Sequence, residues 1–383
     1  MPPIHKNIVK FYLLESAIYM IVSTYGYFAY YFDSIGLSKS QIGILLAIGP
    51  IMSLIANPFW LSLADKKLKN NILTLISGMG IASIWLVYLI PTFLGKAIVL
   101  MIMSFFTTAI VPIAESMSIQ YLSYEGFSFG RSRMMGSISY SLMILMMGYL
   151  ISNFGNWIIF LSYSATSALC FLLSIQLPPV QGYNKSKDRK TSHYIDILKR
   201  KEYILMLLVA FIGISSGSFG ISFYPVYVAQ KGFKVSIAGI GMSVMAISEI
   251  PFLFYADKII KRFGNRKILA FGVMMYGIRW LVTSHVSSEM ALIGVQLLHA
   301  TNYIFVYYSI FSYINEYIPE KLKSRAQALF WMVMNGFAIM NGSILGGILS
   351  DAKSLSFSYF SFGVLSAVVG TTYMLYNLKE RVN

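Results

Sequence analysis

The chain has 383 residues, with 30 Lys and Arg against 15 Asp and Glu, so its net charge is +15. Hydrophobic residues make up 57% and charged residues only 12%, whereas a soluble domain carries about 25% charged residues. That leaves too little polar surface to cover a soluble core of this size, and the lone Cys170 excludes an internal disulfide or a cysteine metal cluster.

Apolar runs follow one another at 8–32, 40–64, 71–91, 96–121, 134–153, 157–177, 203–230, 236–256, 267–285, 289–315, 326–350 and 356–377. Each is long enough to cross a bilayer. The runs are continuous and not alternating, which predicts helices and not barrel strands. The first run is too long for a cleavable signal peptide and lacks a small-residue cleavage site. The expected fold is therefore all-α and integral to the membrane, with about twelve transmembrane helices.

Basic residues concentrate in alternate loops: Lys66, Lys67 and Lys69; Arg131 and Arg133; Lys185 to Lys201; Lys258 to Lys267; Lys321, Lys323 and Arg325. The opposite loops hold Lys39, Lys96, Lys231, Lys234 and Lys353. This is the positive-inside bias, with both termini cytoplasmic in a bacterial inner (plasma) membrane. The positive charge is thus a matter of topology, and no nucleic-acid partner is expected. The polar stretch 181–202 follows Pro178-Pro179 and reads as a cytoplasmic linker. It separates an N-terminal six-helix bundle, 1–180, from a C-terminal one, 203–383.

The halves repeat. Ala64-Asp65-Lys66 recurs as Ala256-Asp257-Lys258, and Ser132-Arg133 as Ser324-Arg325; 257 − 65 and 325 − 133 both give 192. Two copies of one membrane unit are the plan of a transporter.

Ionisable residues inside the runs are few, and each is costly in hydrocarbon unless paired or hydrated. They are Glu15, Glu115, Glu249, Arg279 and His299, with Arg133 at the mouth of the fifth run. At ~1.5 Å per residue, Glu249 lies about 20 Å along its helix, Arg279 about 10 Å below the outer face and His299 about 15 Å in. An acid, a base and a titratable imidazole in one slab can bind a polar solute and couple its binding to a proton. The alternative is an ion pair that only locks two helices together. Glu15, about 10 Å into the first helix with Tyr19 on its face, is a second proton site or an acid snorkelling to the inner surface.

Phe129-Gly130-Arg131-Ser132-Arg133-Met134-Met135-Gly136 resembles the FGRxRMxG motif of the lactose-permease-like oligosaccharide–proton symporters. In that family a helix-4 glutamate precedes the second arginine by eighteen residues, as Glu115 precedes Arg133. Ser248-Glu249-Ile250-Pro251, Arg279-Trp280 and Gln296-Leu297-Leu298-His299 resemble elements of the phenylpropionate-permease-like group. The resemblance covers nearly the whole chain. It implies the major facilitator fold, two pseudo-symmetric six-helix bundles working by alternating access as a monomer. It also implies a substrate-binding pair in Glu115 and Arg133, with Tyr140 stacking on the solute. Asp65-Lys66 and Asp257-Lys258, with Arg262, Gly264 and Arg266, resemble the cytoplasmic gating motif of the superfamily.

This chain also departs from the lactose-permease pattern. Asn302 replaces the proton-carrying acid, Gln296 replaces a lysine, Tyr140 replaces the stacking tryptophan and Leu61 replaces a glycine. Any coupling proton must then use another carboxylate. The expected activity is proton-coupled symport of a sugar, nucleoside or aromatic acid, with no cofactor. Efflux by antiport is the alternative on the same fold. A transporter-derived sensor and an intramembrane hydrolase are more distant ones; the latter rests on Gly213-x-Ser215-x-Gly217, a pattern that also serves helix packing.

Overall fold

The computed structural model describes residues 6–182 and 194–379, and among these the only extended pairing is one isolated bridge, Leu68 with Gln181. Twelve long helices carry the fold. They are α1 (Lys6–Ser34), α2 (Lys39–Lys66), α3 (Lys69–Leu89), α4 (Phe93–Tyr124), α5 (Phe129–Phe154) and α6 (Trp157–Gln176). The rest are α7 (Lys201–Ser222), α8 (Val235–Phe263), α9 (Asn265–His285), α10 (Glu289–Tyr317), α11 (Glu320–Ala352) and α12 (Leu355–Lys379). Eleven are long and apolar enough to cross a membrane. The exception is α9, whose 21 residues span about 30 Å at ~1.5 Å each; it carries Arg279 in its second half.

Three of the long helices change pitch. α1 tightens to a 3₁₀ turn at Tyr25–Tyr27 and α10 does so at Val295–Leu298, directly before His299. α11 widens to a π-helix over Met332–Ala338. Such irregular turns inside helices are often found at functional sites.

The chain divides into two compact units, residues 1–37 with 48–187, and residues 38–47 with 188–383. In the first unit α1 packs against α4, α5 and α6, and α3 packs on α6. Phe11, Leu14, Ile18 and Ile21 recur at helical spacing and are buried. α5 approaches α1 where Gly136 meets Tyr19; a methyl group there would stand 2.5 Å from the ring. Asn70 fastens the start of the linker: its Nδ2 donates to the carbonyls of Ser174, Leu177 and Pro178, and its Oδ1 accepts from Val180 N at 2.8 Å. Two lysines expected in loops are buried. Lys69 Nζ donates to Ser116 Oγ and Gln120 Oε1, and Lys96 Nζ donates to the Val87 carbonyl and to Tyr31 Oη. Each ammonium is held by oxygens, as a buried cation requires.

The second unit is built on close helix crossings. A methyl on Gly277 would stand 2.4 Å from Ala367 N, and one on Gly342 2.1 Å from the Ser215 carbonyl. Gly213 and Gly217 lie against Val273 and Tyr276. The Gly-x-Ser-x-Gly pattern therefore serves packing. Ser215 Oγ is buried without a hydrogen-bond partner among the described residues.

Ser38–Ala47, the start of α2, belongs to this second unit. Asp351, at the end of α11, accepts from Lys39 N and Ser40 N, both at 2.7 Å. The carboxylate caps the positive end of α2 from 312 residues away. Gly347 and Gly43 permit the approach, with the Lys39 and Ser343 carbonyls 2.2 Å from where a methyl would stand. Asp351→Ala is expected to cost about 1–2 kcal/mol, the loss of a helix cap. Asp351→Asn, which can still accept, should cost less. Thermal unfolding of the two variants in detergent checks this, and equal losses would contradict the capping role.

Candidate functional site

The ionisable residues of the membrane slab form two groups, one in each unit. In the first, Arg133 Nε stands 3.5 Å from Glu115 Oε1, and Tyr19 Oη donates to the same oxygen at 2.6 Å. The Arg133 guanidinium lies 4.0 Å from the centre of the Tyr19 ring, and its Nη1 donates to Ser137 Oγ at 3.1 Å. Arg133 Nη2 has no hydrogen-bond partner among the described residues. Both side chains stay partly open, 41% for Arg133 and 28% for Glu115. The arrangement thus keeps a cationic donor and an anionic acceptor side by side with bonding capacity to spare. Tyr140 lies seven residues beyond Arg133, on the same face of α5 and half-buried.

Glu15 sits on α1 one turn before Tyr19 and is fully buried, so it does not snorkel to the surface. Among the described residues neither of its oxygens makes a well-formed hydrogen bond, and its polar neighbour is the Ser118 hydroxyl on α4.

In the second unit the three residues on α8, α9 and α10 meet. His299 Nε2 lies 2.7 Å from Glu249 Oε1, and His299 Nδ1 lies 2.7 Å from Arg279 Nη1. A guanidinium can only donate, so Nδ1 must be the accepting nitrogen. The proton of the neutral imidazole then sits on Nε2 and is donated to Glu249. Arg279 and Glu249 do not form a direct pair; the imidazole joins them, and the set Arg⁺–His–Glu⁻ has zero net charge. Arg279 Nη2 donates to Gln296 Oε1 and lies 3.3 Å from Met245 Sδ. Arg279 is fully buried, whereas Glu249 is 24% exposed. Its Oε1 is taken by His299, and its Oε2 has no partner among the described residues, so that oxygen is available to a solute or a proton.

Gln296, a departure from the lactose-permease pattern, is part of the site: its amide oxygen accepts from one arm of Arg279. Its position three residues before His299 was the available signal. A second feature was unread. From His299 an aromatic residue recurs every four positions, at Tyr303, Tyr307 and Phe311, with centroids 5.7, 6.3 and 5.8 Å apart and planes within 17° of parallel. Trp331 of α11 abuts Tyr307 at 5.6 Å.

The motif residues at the helix ends are partly engaged. Asp65 and Lys66 are exposed at the end of α2. The side chain of Asp257 lies outside the described residues. Lys258 lies 5.9 Å from the Tyr255 ring and Arg262 5.4 Å from Phe263. Gly264, with φ of +84°, makes the corner between α8 and α9 in the left-handed region open to glycine. Arg266 pairs with Glu202 in the first turn of α7.

The sequence profile of the MFS_1 like family matches residues 5–361. The maltose permease of Geobacillus stearothermophilus is 23% identical over 347 residues, covering 90% of this chain and 88% of that protein. The lactose permease of Citrobacter freundii is 20% identical over 349 residues, covering 86% and 84%. The crystal structure of the nucleoside transporter NupG superposes with a TM-score of 0.86 at 15% identity, over 97% of this chain and 98% of that one. With two helical units and polar groups buried in helices that cross a membrane, the chain belongs to the MFS_1 like family and is a multi-pass secondary transporter with the major facilitator fold.

Proposed function

We propose that this transporter carries a neutral, hydroxyl-bearing solute, a sugar or a nucleoside, together with a proton. The observation that carries the reading is the Glu115–Arg133 pair with its unused guanidinium nitrogen. A carboxylate that accepts and a guanidinium that donates match two neighbouring hydroxyls, which can do both. Sugars and the ribose of nucleosides supply such hydroxyls. An aromatic carboxylic acid fits less well, since Glu115 would repel it. The names of the relatives, permeases of maltose and lactose and a nucleoside transporter, support the same class. Tyr140 stacks on the solute. Glu249 couples the proton: its free oxygen accepts a proton, while His299, itself held by Arg279, keeps the other oxygen in place. Asp65, Lys66, Asp257, Lys258, Arg262, Gly264 and Arg266 form the cytoplasmic gate. The protein works as a monomer in the plasma membrane with both termini cytoplasmic, which the basic residues in alternate loops support.

A thermal-shift series on purified protein with maltose, lactose, raffinose, uridine and phenylpropionate tests the substrate class. Stabilisation by at least one sugar or by uridine, and none by phenylpropionate, is expected. A shift with phenylpropionate alone would contradict the reading.

A further inference from the structure

We propose that Glu15 is the proton-binding group of the first unit and that it competes with Glu115 for Arg133. This rests on the reading of the chain as a proton-coupled transporter. Glu15 is fully buried, and among the described residues no cation pairs with it and neither carboxyl oxygen makes a well-formed hydrogen bond. An unpaired carboxylate is among the costliest groups to bury, and the neutral acid costs far less. In the state described, Glu15 therefore holds a proton.

The surroundings say what that proton controls. α1 packs against α4, α5 and α6. The polar groups that act on Glu15 are Glu115 and Ser118 of α4 and Arg133 of α5; on α1 itself, Tyr19 stands one turn away. α6 carries no Asp, Glu, Lys, Arg or His, and its Tyr163 hydroxyl bonds with Tyr25. Two carboxyl groups thus lie within the electrostatic reach of one guanidinium. Arg133 now sits with Glu115, and Tyr19 donates to the same Glu115 oxygen. Glu15, which has no cation beside its oxygens, is the member that carries the proton.

Loss of the proton from Glu15 to water leaves a second anion in reach of Arg133. The guanidinium already lies over the Tyr19 ring, one turn from Glu15. It is then drawn from Glu115, and the pair that receives the solute comes apart. Proton on Glu15 and solute at Glu115 and Arg133 therefore bind together, as symport requires. Proton uptake at Glu15 reverses the step.

Infrared spectroscopy of the purified protein in lipid nanodiscs, with no solute added, tests this at neutral pH. The wild type is expected to show a protonated-carboxyl C=O band that shifts in D₂O, and Glu15→Gln should lose it. Glu115→Gln should lose it as well, although Glu15 is intact, because Arg133 moves to Glu15 and ionises it. Adding Arg133→Gln to Glu115→Gln removes the cation and should restore the band. A role of Glu15 in packing alone would not produce loss and recovery from changes at its neighbours. A wild-type spectrum without a band that Glu15→Gln removes would overturn the proton assignment. A band that persists in Glu115→Gln would overturn the shared arginine. Because no solute is used, either failure is separate from an error in the substrate class, which the thermal-shift series would expose.

Discussion

Replacing Arg133 by Lys is expected to weaken solute binding about 10- to 100-fold while the protein still folds. The guanidinium holds Glu115 through Nε and Ser137 through Nη1 and leaves Nη2 without a hydrogen-bond partner among the described residues. An ammonium is a single point of charge and cannot occupy these three positions at once. A lost hydrogen bond to a charged group costs about 1.5–3 kcal/mol, and each 1.4 kcal/mol is a factor of about ten in affinity. Glu115→Ala should lose as much, since it removes the acceptor for the solute and the anchor of Arg133 together. Calorimetric titration with whichever of maltose, lactose or uridine stabilises the wild type checks both. Wild-type affinity in the two variants would remove Glu115 and Arg133 from the binding site.

The second large effect is expected at Glu249. Glu249→Gln keeps the shape of the side chain and removes its charge. The amide can still meet His299, but it cannot take up and release a proton. Accumulation of solute against its gradient should fall well below that of the wild type, to what the proton at Glu15 alone can drive, while exchange of labelled for unlabelled solute continues. Exchange needs the binding site but no net proton movement. Proteoliposomes with an imposed proton gradient measure the first, and counterflow without a gradient measures the second. Uphill accumulation as steep as in the wild type would leave Glu15 as the coupling acid by itself.

Much of this architecture is legible in the sequence because the bilayer restricts what a chain can do. A run of some 20 apolar residues has few options other than to span, and the recurrence of Ala-Asp-Lys and Ser-Arg at one offset exposes two related halves. The partners of the buried charges are harder to read, because they depend on how helices are rotated. Glu249, Arg279 and His299 lie in one slab by simple counting, yet counting could not say that the imidazole stands between acid and base. Gln296 reads as a lost lysine in sequence, whereas in the fold its amide oxygen accepts from one arm of Arg279. Lys96 was assigned to an outer loop from its charge; the Val87 carbonyl and Tyr31 hydroxyl that receive it are brought together only by the packing of α3, α4 and α1. Asp351 offered no signal at all, because the amides it caps lie 312 residues away. Glu15 was legible as an oddity, a carboxyl in an apolar run, and its meaning came from the absence, among the described residues, of any cation beside its oxygens.

The coupling of solute to proton is the centre of this account, and a pH electrode reads it directly. Proteoliposomes in weak buffer, with no membrane potential, receive a pulse of the solute identified by thermal shift. A symporter of this kind should make the outside medium alkaline as the solute enters, and an uncoupler that carries protons should abolish the signal. Solute entry with no change in external pH, at a rate indifferent to an imposed proton gradient, would contradict proton-coupled symport.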